Sequence, residues 1–190
     1  MIGELMRRGF MGSNASVTYA TWNPADKDAG VTLSNGNLTA TNIVANKSVR
    51  ATIGKTSGKW YWEVTNNAAQ ENDMGIGNVS MLLSAYPGND ANGVGYDSVD
   101  GKLYKSNAAV ATGGATYTTS DIIGIALDVD AGTVKFYKNN TLQYTYTYSI
   151  AGAIYPATGG FASGASCTAN FGATAFAFTV PSGYNPGVYV

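Results

Sequence analysis

The stretch DIIGIALDVDAGTVKFYKNNTLQYTYTYS, residues 121–149, decides the fold. Ile123, Ile125, Leu127 and Val129 fall on alternate positions, the period-2 pattern of a strand with one buried face. Asp130-Ala131-Gly132 then reads as a turn, with a glycine able to take a positive φ. Val134 and Phe136 resume the alternation, with Lys135 and Lys138 nearby. Asn139-Asn140 is a tight-turn pair, because Asn tolerates the left-handed region. Residues 141–149 complete a three-strand meander and place Tyr144, Tyr146 and Tyr148 on alternate positions.

Outward from the meander the same grammar repeats. Strands are expected at 38–44, 48–54, 74–79, 102–105, 153–158, 166–171 and 174–179. They are punctuated by Ser34-Asn35-Gly36, Pro87-Gly88-Asn89-Asp90, Asp100-Gly101, Thr112-Gly113-Gly114 and Pro181-Ser182-Gly183. In SGKWYWEVT (57–65), Trp60, Trp62 and Val64 share one face of a strand, while Tyr61 and Glu63 share the other. Many short strands, turn residues at short spacing and no long helical pattern predict an all-β, antiparallel β-sandwich of two twisted sheets.

Composition narrows the function classes. The chain has 190 residues, 12% of them charged, and a formal net charge of −1. A nucleic-acid footprint needs a clustered Lys/Arg excess, which is missing. Histidine is absent, which removes the commonest general base and metal ligand. The single cysteine, Cys167, excludes an intramolecular disulfide and a Cys-cluster zinc site, and its surroundings, SGASCTANF, suit a buried structural residue. No run approaches the roughly 20 apolar residues of a membrane span. The first residues lack the continuous apolar core of a secretory signal, so synthesis in a cytoplasm is expected.

Residues 1–13 differ from the rest. Ile2, Leu5, Met6 and Phe10 fall at helical spacing, with Glu4, Arg7 and Arg8 facing elsewhere. A helix so short is marginal in water. We therefore read residues 1–14 as an anchoring arm that buries its apolar side in a larger assembly, and residues 15–190 as the sandwich domain.

Several motifs resemble the SPRY domain family, in the form found in bacteriophage proteins. SGKWYWEVT is similar to its early Gly-Lys-aromatic-Tyr-aromatic-Glu strand, and Met74-Gly75-Ile76-Gly77 to the strand that follows. GVGYDSVDGKLYKSN (93–107) resembles its Gly-x-Gly-Tyr segment and hairpin, and residues 121–140 its Asp-x-Ile-Gly strand and Phe-x-Lys-Asn turn. SCTANFGATAFAFTVPSGYNPG (166–187) looks like the closing strand and tail of phage members, and residues 21–42 like their opening strands. Asn140 stands where many members have Gly, a swap that a tight turn tolerates. The resemblance covers about 17–187. It implies that Trp60 and Trp62 belong to the core, that the domain is a binding module, and that binding resides in loops at one end of the sandwich.

Two loops are polar and aromatic-tipped: NNAAQEND (66–73) and LLSAYPGNDANGVGY (82–96). Asn66, Asn67, Gln70, Asn89, Asp90 and Asn92 offer hydrogen-bonding groups, and Tyr86 and Tyr96 offer flat apolar faces. Ordinary solvated loops are the plain alternative. Glycosidase chemistry needs two carboxylates across a cleft. Among the candidates Glu63, Glu71, Asp73, Asp90, Asp97 and Asp100, Glu63 points outward from its strand and Asp90, Asp97 and Asp100 read as turn residues, so no enzymatic role, metal or cofactor is expected. Of the tyrosine stripe, half is assigned to the core or to a neighbouring subunit.

Together these readings predict a phage virion protein, a tail appendage or capsid decoration. It would be present in multiple copies and contact other virion proteins or a host-surface glycan or protein, without nucleic acid or membrane insertion. A cytoplasmic peptide-binding module acting during infection is the alternative.

Overall fold

The structure is a computed structural model that describes residues 16–190. The arm residues Ile2, Leu5, Met6 and Phe10 lie outside the described residues. Chain order is β1 (Trp22–Lys27), β2 (Val31–Ser34), β3 (Thr39–Asn42), β4 (Lys47–Ala51), β5 (Lys59–Asn66), β6 (Asn72–Gly77), β7 (Gly93–Asp97) and β8 (Leu103–Lys105). Then follow β9 (Ala108–Ala111), β10 (Ile122–Asp128), β11 (Thr133–Lys138), β12 (Thr141–Thr147), β13 (Tyr155–Gly160), β14 (Ser166–Asn170) and β15 (Asn185–Pro186). One sheet has the order β1-β4-β13-β6-β7-β8-β9, the other β12-β11-β10-β5-β14-β3-β2 with β15 alongside β5. Every pairing is antiparallel except that of β15 with β5.

The meander forms as its alternation dictates. Ile123, Ile125 and Leu127 face Lys138, Phe136 and Val134 across the β10–β11 register. Gly132 turns at φ 63°, and the Asp128 carboxylate accepts the Ala131 N–H at 3.0 Å to close the corner. Asn139 and Asn140 both take positive φ, 46° and 69°, as a two-residue hairpin turn requires. The inner faces of the two sheets interleave Trp22, Trp62, Met74, Ile76, Tyr96, Ile125, Phe136 and Phe171 into one core. Tyr144 and Tyr148 are buried in that core and Tyr146 packs partly against it, so the tyrosine stripe is an inward face of this same chain.

The outer face of β5 departs from expectation. Trp62 is fully buried, as expected, but Trp60 is half-buried, with the Lys55 ammonium 3.5 Å over its ring. Tyr61 and Glu63, read as solvent-facing, are 2% and 4% exposed. The cover is the excursion between β14 and β15, whose ends meet where Val188 N–H donates to Phe171 O at 2.9 Å. A loop with touching ends that packs on its own side chains is an Ω-loop. The Glu63 carboxylate accepts the backbone N–H groups of Ala177 (2.8 Å) and Phe178 (2.9 Å) and the Tyr61 hydroxyl (3.0 Å). The rings of Tyr61 and Phe176 meet edge to face at 5.2 Å.

Residues 174–179 are therefore not a ladder strand. Phe176, Phe178 and Val180 are partly covered while Ala175, Ala177 and Thr179 are exposed. That period-2 alternation comes from an extended strap lying on a surface. Near the same edge residues 18–20 pair with 188–190, Thr18 and Val190 exchanging both backbone hydrogen bonds at 3.0 Å and Ala20 N–H donating to Val188 O at 2.7 Å.

Candidate ligand-binding cleft

Met74 and Ile76 of β6, and Val94 and Tyr96 of β7, point into the core. Alternation puts Asp73, Gly75 and Gly77, and Gly93, Gly95 and Asp97, on the opposite face. That face is paved with glycine so that the 78–92 segment can lie directly on it. A Cβ on Gly95 would strike Pro87 O, one on Gly159 would strike Ser48 Oγ, and one on Gly93 would stand 2.8 Å from Met81 Sδ. Ser48 N–H donates to Leu83 O at 2.9 Å, Ser48 Oγ to Ala85 O, and Arg50 Nη1 to Met81 O at 2.7 Å. The Asp90 carboxylate accepts the N–H groups of Leu82 and Asn92 at 2.8 Å each. These bonds fix the 82–92 loop as a wall.

Beside that wall opens a cleft of about 270 Å³ lined by Glu71, Tyr86, Asp97, Tyr104, Asn107 and Phe161. Tyr86 donates its hydroxyl to Asn107 Oδ1 at 2.6 Å, and its ring meets Tyr104 at 6.4 Å and Phe161 at 5.5 Å. Phe161 is 45% exposed, at the rim, where the neighbouring turn carries exposed Ile43 and Val44. Asn46 N–H donates to Gly160 O, and Ser163 Oγ to Ile43 O, which holds that turn against the rim.

The other end is acidic. Asp97 accepts the N–H groups of Val99 (2.7 Å) and Asp100 (2.9 Å) through one oxygen. Asp73 stands directly opposite Asp97 in the β6–β7 register, 1% exposed, with no hydrogen-bond partner on either carboxylate oxygen among the described residues. Asp100 is held by Lys102 at 2.8 Å and by the Tyr104 hydroxyl at 2.7 Å. Burial, then a hydrogen bond to Asp97, then the charges of Asp97 and Asp100 push the Glu71 carboxyl up to about 7. Burial first, and the charges of Asp97 and Glu71 next, hold Asp73 well above the ordinary carboxylate range. Displaced acids beside a cavity are candidates for a functional site.

Of the residues singled out from sequence for ligand binding, only Tyr86 lines the cleft; Glu71 and Asp97, weighed as catalytic carboxylates and set aside, line it as well. Asn66 and Tyr96 are 1% and 0% exposed and so are not loop-surface groups. Asn66 Oδ1 accepts from Asn72 Nδ2 at 3.1 Å, and Tyr96 donates its hydroxyl to Ala115 O. Asn67 is exposed and donates to Thr168 Oγ1 at 2.8 Å. Gln70 lies exposed beside Gly164. Asn89 closes a turn onto Tyr86 O, Asp90 staples the loop, and Asn92 donates to Ser80 O at 3.4 Å. Asp90, Asp97 and Asp100 each accept local backbone N–H groups, the turn role read for them. Glu71, Asp97, Tyr104, Asn107 and Phe161 were missed as binding residues. The signal available was the acidic–aromatic clustering of 96–107, which reads equally as a hairpin.

The SPRY domain model matches residues 59–174. Ran-binding protein 9 of Xenopus tropicalis is 32% identical over 172 residues, covering 84% of this chain and 31% of that protein. Ran-binding protein 10 of Danio rerio is 31% identical over 193 residues, covering 94% of this chain and 32% of that protein. The chain thus spans about a third of the curated relatives it matches. Among solved structures, the SPRY domain of human HERC1 superposes with a TM-score of 0.69 at 20% identity, covering 78% of this chain and 96% of that one. These relatives are cellular proteins of animals. They overturn the expectations of a phage-type member, an adhesive virion role, virion partners and a virion location. The motifs behind those expectations encode core and turns of this fold (Trp62, Gly75, Gly77, Asn139).

Proposed function

The chain belongs to the SPRY domain family, and on that premise we propose that it is a protein-binding module whose cleft holds a short segment of its partner. The observation that carries this reading is the cleft itself. It is a preformed cavity with three aromatic walls, a few convergent polar groups and a hydrogen-bonded loop behind it, at the scale where ligand sites begin. Rigid walls lower the entropy lost on binding, and Tyr and Phe supply most of the contact area. Exposed Phe161, Ile43 and Val44 extend an apolar rim over which the rest of a peptide can lie.

Glycan hydrolysis fits the same residues poorly. A glycosidase holds its carboxyl groups roughly 5 Å or more apart around the scissile bond. Here Asp97 is close enough to Glu71 to help burial push the Glu71 carboxyl up.

The test is to select peptides on this chain from a displayed random library and compare their affinity for the unaltered chain and for Phe161→Ala. Removing a central aromatic should weaken binding about tenfold or more. Unchanged affinity would place the peptide elsewhere and refute the reading. Phe161 is half-exposed, so its loss should leave the fold intact.

A further inference from the structure

The cleft has aromatic faces on three sides, carboxyl groups at one end and an unsatisfied acid behind them, a combination shaped for one kind of guest. Resting on the peptide-binding reading above, we propose that the cleft selects an arginine side chain of the partner. A guanidinium is planar, stacks on aromatic faces and forks onto a carboxylate, and all three properties find a counterpart here. Tyr86, Tyr104 and Phe161 supply the faces, and Glu71 and Asp97 the carboxyl groups. Asp73, buried behind them in register with Asp97, has no hydrogen-bond partner on either oxygen among the described residues.

Charge complementarity makes the guest cationic. The groups facing Glu71 are Asp97 beside it, Asp73 behind, Asp100 and Lys102 from the β7–β8 turn, and the phenols Tyr86 and Tyr104. Lys102 is spent on Asp100 at 2.8 Å, and Lys105 donates to Ser149 O at 3.1 Å, away from the acids. An arginine would supply the positive charge that Glu71 and Asp97 lack and donors for their carboxyl oxygens. Lysine carries the charge but lacks the flat, forked head, so it should bind more weakly.

Binding should follow the ionisation of the acids. A cation needs Glu71 as carboxylate, and with its carboxyl near 7 the ionised fraction grows about tenfold from about pH 6 to about pH 8. Affinity for arginine should rise by the same factor over that interval. A neutral guest should show no such rise.

The experiment titrates N-acetyl-arginine N-methylamide and its neutral isostere, N-acetyl-citrulline N-methylamide, into the ¹⁵N-labelled full chain. The readout is the set of amide shifts of Glu71, Asp97, Asn107 and Phe161. Saturable shifts with the arginine amide alone, growing about tenfold in affinity with pH and losing that dependence in Glu71→Gln, are the expected result. No saturable shift, or equal shifts with citrulline, overturns the inference. The selected peptides separate the two levels. If Phe161→Ala weakens them while citrulline replaces arginine freely, the cleft reading stands and arginine selectivity falls. If Phe161→Ala leaves them unaffected, both fall.

Discussion

Truncating Glu63 to Ala should loosen the Ω-loop and destabilise the whole sandwich. The carboxylate is 4% exposed and holds three donors: two backbone N–H groups of the strap and the Tyr61 hydroxyl. Hydrogen bonds to a charged acceptor contribute about 1.5 kcal/mol each at the low end of their range, so the two N–H bonds together are worth about 3 kcal/mol. The Tyr61 hydroxyl adds about 1 kcal/mol, offset in part because the strap's N–H groups can turn to water once it lifts. A net loss of about 3 kcal/mol should lower the melting temperature by about 6–12 °C in a chain of 190 residues. Urea unfolding of Glu63→Ala and Glu63→Gln measures it. Gln keeps the volume but turns an amide donor toward one strap N–H, so its loss should be intermediate. Limited proteolysis should then cut Glu63→Ala first within 173–184. A change within about 0.5 kcal/mol, the range of surface substitutions, would refute the idea that this carboxylate latches the strap.

Further outcomes follow from the other face and the core. Glu71 and Asp73 hold protons more tightly folded than unfolded, so their contribution to stability is complete below the unfolded carboxylate range near pH 4 and is lost as pH rises toward and through their folded values. Urea midpoints should therefore decline from about pH 4.5 to about pH 7 in the unaltered chain, and Asp73→Asn should flatten that decline and be the more stable protein at neutral pH. A rising profile would reverse the assignment. Gly95→Ala drives a methyl group into Pro87 O and should cost about 1–3 kcal/mol by denaturation while weakening cleft binding. Cys167 is 1% exposed and burial pushes its thiol up to about 11, so thiol reagents should label it only after unfolding. Rapid labelling of native protein would show that the β14 environment opens.

Where one face of a strand meets a core, the residues alone announce it. Ile123, Ile125 and Leu127, or Trp62 and Val64, need no knowledge of their partners, because alternation and turn chemistry are local. Whatever covers the second face is a long-range fact. Nothing near Tyr61 or Glu63 in sequence says that residues 172–187 return to bury them, and the alternating Phe176, Phe178 and Val180 imitate a strand because any extended chain has period 2. The cleft shows the same limit. Tyr86 stood out as an aromatic on a polar loop, but its partners come from four other segments, and Glu71 and Asp97 acquire their chemistry only by meeting. Glycine was the underused clue: a side chain at Gly75, Gly95 or Gly159 would strike neighbouring backbone, and one at Gly77 or Gly93 would strike Met81 of the loop. Lineage was never encoded in the motifs that set the fold.

The pairing of residues 18–20 with 188–190 has a mechanical consequence. Thr18 lies opposite Val190, and Ala20 opposite Val188, so a pull on residues 18 and 190 loads their hydrogen bonds one rung at a time, as a zipper is opened, instead of shearing them together. Tension arriving from a longer chain would be absorbed by peeling these few rungs back to Ala20 and Val188, which sit in the core. The sandwich beyond them, cleft included, would feel force only after that seam had parted.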